Sequence, residues 1–78
     1  MTFEVYSKLG CPYCDKIKTV MKQYNFEHTV KTLDADFTRE EFYQQFGQGS
    51  TFPQVLMDGK CLGGCVDTVK YLREEGLV

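Results

Sequence analysis

The chain has 78 residues, the size of one domain, and 42% of them are hydrophobic, with six phenylalanines and five tyrosines; so aromatic a composition excludes a disordered chain. Nine basic and eleven acidic side chains leave a net charge of -2, which argues against a nucleic-acid module. No apolar run approaches the roughly 18 residues of a membrane span, and Met1 to Tyr6 has no basic stretch followed by a long apolar one, so the reading is no membrane, no signal peptide and a cytoplasmic location.

Thr2 to Ser7 alternates as a strand does, with Phe3 and Val5 on one face and Glu4 and Tyr6 on the other. Lys8-Leu9-Gly10 follows as a loop. Pro12 suits the first turn of a helix, where its missing N–H has no intrahelical partner to lose. Ile17, Val20, Met21 and Tyr24 then lie at helical spacing on one face, and Asn25 closes the helix. Phe26 to Leu33 reads as a second strand, parallel to the first through a right-handed connection. Thr38 and Glu41 form a capping box for a second helix, Phe37 and Phe42 a hydrophobic staple around it, and Gly47 its terminator.

Gln48 to Thr51 is loop, and Pro53 to Met57 a strand. Asp58-Gly59 signals a two-residue hairpin turn, Lys60 to Leu62 the returning strand, and Gly63-Gly64 its stop. Asp67 is expected to cap a last helix, Thr68 to Glu75, with Val69 and Leu72 facing inward and Gly76 at its end. The order is β-α-β-α-β-β-α, a single α/β domain over residues 1–78.

Four cysteines in so short a chain admit three explanations. A disulfide scaffold belongs to secreted chains. A structural zinc site could draw on Cys11-Cys14 and Cys61-Cys65, but the gap between these pairs is far longer than in ribbon-type sites, so no metal is expected. Redox chemistry through Cys11-Pro12-Tyr13-Cys14 fits best, because this pair sits between a strand and a helix. Disulfide exchange needs a thiolate. At a helix start the unpaired N–H groups and the dipole favour negative charge on Cys11, and Lys8 adds a positive one nearby. Cys14, one turn deeper, is placed to close a disulfide with Cys11 and act as the resolving thiol.

Three separated segments resemble the glutaredoxin family, and together they span nearly the whole chain. Cys11-Pro12-Tyr13-Cys14 matches its dithiol motif. Thr51-Phe52-Pro53-Gln54-Val55 is similar to its TVPQ segment, whose proline is cis, and Gly63-Gly64-Cys65-Val66-Asp67 to its GGxxD turn. The resemblance implies a glutaredoxin-like thioredoxin fold, a four-stranded mixed sheet flanked by three helices. It implies reduction of protein disulfides and glutathione mixed disulfides, with glutathione as reductant and no permanently bound cofactor. The implied partners are glutathione and disulfide-containing or glutathionylated proteins, ribonucleotide reductase among the candidates, with the protein itself a monomer.

Carried over by residue, the resemblance makes Cys11 the nucleophile and Cys14 the resolving cysteine. Tyr13 would flank glutathione. Lys8 would pair with the glycine carboxylate, and Arg39 is a second candidate cation for it, since a cation in the first turn of a helix opposes the dipole. The Phe52 backbone, between Thr51 and Pro53, would bond the cysteinyl moiety as a strand does. Cys65, Val66 and Asp67 would hold the γ-glutamyl end, Asp67 pairing with the α-ammonium and the helix N–H groups with the α-carboxylate. Two residues depart from the family pattern: Phe52 stands where valine is usual, and Val66 where Asp, Ser or Thr is common. Tyr6 and Tyr13 could be plain exposed aromatics, His28 reads as structural or exposed, Cys61 as an ordinary half-buried side chain, and Cys65 as acting through its backbone, with a third redox thiol as the alternative. Competing functions are a thioredoxin-like donor to ribonucleotide reductase reduced by a flavoprotein, and a glutathione-ligated iron–sulfur carrier.

Overall fold

A computed structural model describes all 78 residues. Strand β1 (Thr2–Ser7) leads through a short turn to helix α1 (Pro12–Gln23), strand β2 (Glu27–Thr32) and helix α2 (Arg39–Phe46); strands β3 (Gln54–Met57) and β4 (Lys60–Gly63) and helix α3 (Cys65–Glu74) complete the chain. The sheet order is β2-β1-β3-β4. β1 runs parallel to β2 and antiparallel to β3, so Val5 faces Val30 on one side and Val55 on the other. Asp58 and Gly59 both have positive φ, 50° and 83°, the paired left-handed conformation of a two-residue hairpin turn.

The sheet is covered on both faces. Phe3, Val5 and Val55 pack under Ile17 and Met21 of α1 and Cys65 and Leu72 of α3. Tyr6 and Leu56 pack on the opposite face with Phe37 and Phe42. Tyr6 is therefore a core residue, 6% exposed, and not a surface aromatic. Its ring centroid lies 5.1 Å from that of Phe37 and 5.0 Å from that of Phe46. The Lys31 ammonium donates to its hydroxyl at 3.4 Å and pairs with Glu4 at 3.4 Å. Those contacts, Tyr6 foremost, hold the Lys31 ammonium above its usual range.

The capping box of α2 forms as expected: Glu41 N–H donates to Thr38 Oγ1 at 3.1 Å, and Thr38 N–H to Glu41 Oε1 at 2.8 Å. The staple closes with Phe37 and Phe42 centroids 5.8 Å apart. The last helix differs from expectation. It begins at Cys65 with Gly64 at the cap position and no side-chain cap, so Asp67 lies inside the first turn and is not the cap. The reason is local. Gly63 turns the chain at φ 100°, and a Cβ there would come within 2.9 Å of Asp67 Oδ2. The glycine pair thus starts the helix earlier and lets the Asp67 carboxylate fold back against it.

Candidate active site

Gly10, at φ 70°, swings the chain from β1 into α1 and leaves Cys11 as the helix cap, with extended backbone. Cys14 N–H donates to Cys11 Sγ at 3.2 Å. The nucleophile candidate thus takes the place of the oxygen in an ordinary N-cap. An acceptor sulfur in that position is stabilised by the amide dipole as it gains negative charge. Cys11 is 6% exposed and Cys14 fully buried, while Leu9 and Tyr13 around them are exposed. All four cysteines are free thiols.

Burial above all, with the neighbouring Cys11 sulfur second, pushes the Cys14 thiol up to about 12. Cys14 is therefore a protonated, sheltered thiol at neutral pH. Burial also raises Cys65, opposed by the Lys16 charge, and the Cys11 charge raises it further. Cys65 thus lies within electrostatic reach of Cys11, with its thiol kept neutral.

Beside the dithiol lies a groove of about 180 Å³ lined by Tyr13, Thr51, Phe52, Pro53, Gly64, Cys65, Val66 and Asp67. Seven of these are expected site residues from three distant segments of the chain. The Phe52–Pro53 peptide is cis. The start of α3 packs against this loop: a Cβ at Gly64 would stand 3.5 Å from the Pro53 carbonyl oxygen, an ordinary van der Waals contact. The first amides of α3 lie ahead of its first intrahelical bond, Thr68 N–H to Gly64 O at 2.9 Å, and so are free for an anion. Lys8 and Arg39 do not line the groove; each approaches the ring of Phe52, with Lys8 Nζ 5.4 Å and Arg39 Cζ 6.0 Å from its centroid.

Two features escaped the sequence reading. Gln54 donates to the Thr51 carbonyl at 2.9 Å and accepts from the Cys61 thiol at 3.6 Å, bracing the loop before Pro53; its place beside the proline was the available signal. Lys16 lies over the Tyr13 ring at 5.8 Å, a contact that the i,i+3 spacing could have suggested. His28 Nδ1 is 2.8 Å from the Phe26 carbonyl oxygen, in keeping with a structural role. No group of three or more His, Cys, Asp or Glu is arranged to hold a metal ion.

A mixed sheet between helices, with a two-cysteine turn capping the first helix beside a proline loop, defines the class of thioredoxin-fold thiol–disulfide oxidoreductases. The glutaredoxin family model matches residues 3–62. Glutaredoxin 1 of Rickettsia conorii is 35% identical over 78 residues, covering 96% of this chain and 74% of its own. Chloroplastic glutaredoxin-C5 of Arabidopsis thaliana is 34% identical over 80 residues, and this chain spans 46% of its length. The crystal structure of a buckwheat glutaredoxin–glutathione complex superposes with TM-score 0.80 at 29% identity, over 96% of this chain and 71% of that one. The chain belongs to the glutaredoxin family, the glutathione-dependent thiol oxidoreductases.

Proposed function

We propose that this protein reduces glutathione mixed disulfides and protein disulfides through Cys11 and Cys14, with glutathione as the electron donor. The observation that carries the reading is the Cys11 sulfur held at the α1 cap by the Cys14 amide, beside the groove between the proline loop and the start of α3. With a glutathionylated protein, the Cys11 thiolate attacks the glutathione sulfur. The old S–S bond breaks, the protein thiolate leaves, and glutathione stays on Cys11. A second glutathione thiolate attacks that sulfur, releasing glutathione disulfide and restoring Cys11.

With a protein disulfide, Cys11 attacks one sulfur and the other leaves as a thiolate. Cys14 then gives up its proton, attacks Cys11 and frees the second protein thiol, leaving a Cys11–Cys14 disulfide. Two glutathiones reduce it in turn. Part of what pushes the Cys14 thiol to about 12 is the neighbouring Cys11 sulfur and its charge; that charge is gone once Cys11 is in the mixed disulfide, so Cys14 gives up its proton more readily at that stage than in the reduced protein. The groove would hold glutathione along the Phe52 backbone. Its γ-glutamyl end would lie at Cys65, Val66 and Asp67, its flank against Tyr13, and its glycine carboxylate toward Lys8 and Arg39. In this reading the protein works in the cytoplasm, where thiols are kept reduced.

The test is a glutathione-coupled assay on a small glutathione mixed disulfide. Cys11→Ser is expected to abolish turnover, because no other thiol caps the start of α1. Substantial residual turnover would move the chemistry to Cys61 or Cys65.

A further inference from the structure

Phe52 is fixed in place. Its ring stacks on that of Phe42 with centroids 4.1 Å apart and planes 11° apart, and Phe37 lies at 6.2 Å with an 18° tilt. Phe42 is 1% exposed, so the platform beneath Phe52 is core. Over this ring stand two cations, Lys8 Nζ at 5.4 Å and Arg39 Cζ at 6.0 Å. Neither makes an ion pair within the chain, whose two pairs are Lys18–Asp15 and Lys31–Glu4. Arg39 also stands at the first position of α2, where the helix dipole disfavours a positive charge. Gathering two unpaired cations costs mutual repulsion and side-chain freedom. The negative face of an aromatic ring offsets part of that cost, and a carboxylate between them would offset more.

We propose that Phe52 is a positioning residue whose ring gathers Lys8 and Arg39 into a two-cation clamp. The clamp selects ligands that carry a carboxylate one residue beyond the disulfide cysteine, as the glycine of glutathione does. The inference rests on the proposed glutathione site and assigns to the Phe52 side chain a role separate from its backbone contact. An aliphatic residue there would fill space but offer the cations no negative face, so their position would be set by solvent and repulsion alone.

The test compares Phe52→Leu and Phe52→Tyr on two small mixed disulfides, one of glutathione and one of glutathione amidated at its glycine carboxyl, which keeps the length of the ligand and lacks that charge. Phe52→Leu is expected to raise KM for the glutathione disulfide about three- to tenfold, the scale of one or two cation–π contacts, with kcat little changed. Phe52→Tyr, which keeps the ring, is expected to stay near wild type. On the amidated glutathione disulfide the leucine penalty should nearly vanish. An equal penalty on both substrates, a tyrosine variant as impaired as leucine, or no penalty would overturn the clamp. If wild type turns over neither substrate, the proposed function fails instead. Wild type supplies an independent check that needs no variant to fold. The side-chain methylene protons nearest the charges of Lys8 and Arg39 should resonate upfield of their random-coil positions, as protons over a ring face do. Random-coil shifts for both would contradict the proposal.

Discussion

At Cys14 a single buried sulfur ties redox chemistry to stability. Its thiol titrates near 9.0 ordinarily and is pushed to about 12 in the fold. Between those values the unfolded chain loses a proton that the folded chain keeps, so the fold binds more protons and stability falls as pH rises. The contribution is intact below about pH 9 and is lost progressively toward pH 12. Denaturant melts of the reduced protein across this window should show that decline, and Cys14→Ala should flatten it. An equally steep decline in the variant would place the effect elsewhere. Asp67 allows a second test. Since it is not the cap of α3, Asp67→Asn and Asp67→Ala should behave alike. Both should raise KM for glutathionylated substrate about ten- to a hundredfold, the worth of a charge-assisted hydrogen bond, with melting close to wild type. Wild-type kinetics in Asp67→Asn would remove the ion-pair role.

Among the elements, α2 carries both Arg39 and the Phe42 platform, so its capping bears on the site as well as on the fold. Thr38→Ala removes the acceptor for Glu41 N–H and should cost about 1 kcal/mol, read as a shift in the denaturation midpoint, with Thr38→Asn restoring most of it. An alanine variant as stable as wild type would mean that the box contributes nothing. This helix start was legible in the sequence, as was the Asp58-Gly59 turn, because both signals lie within a few consecutive residues. The start of α3 was not, because Gly64 caps it without a side chain and Asp67, the expected cap, folds back against Gly63. Tyr6 was misplaced because strand alternation marks two faces without saying that both are covered. The meeting of Lys8, Arg39 and Phe52 was also hidden, since it joins three segments far apart in the chain. The dithiol and the groove residues were readable because each sits in a short motif.

Across the whole molecule, the parallel β1–α1–β2 unit and the β3–β4 hairpin deliver their functional ends to one place. The first turn of α1, the start of α3 and the loop before β3 line one groove beside the dithiol, although the chain between Cys11 and Cys65 passes through five of the seven elements. One side of this site holds the Cys11 sulfur at a helix cap, and the other the groove proposed for glutathione. The central claim is that Cys11 alone suffices where glutathione is the second thiol, whereas Cys14 is required where the trapped partner is a protein. It is tested most directly by assaying Cys14→Ser in parallel on a glutathione mixed disulfide and on a protein disulfide, with glutathione as the reductant in both. The variant is expected to keep turnover of the first and lose it on the second, with a stable Cys11–protein mixed disulfide accumulating. Loss of both activities together, or retention of both, would contradict it.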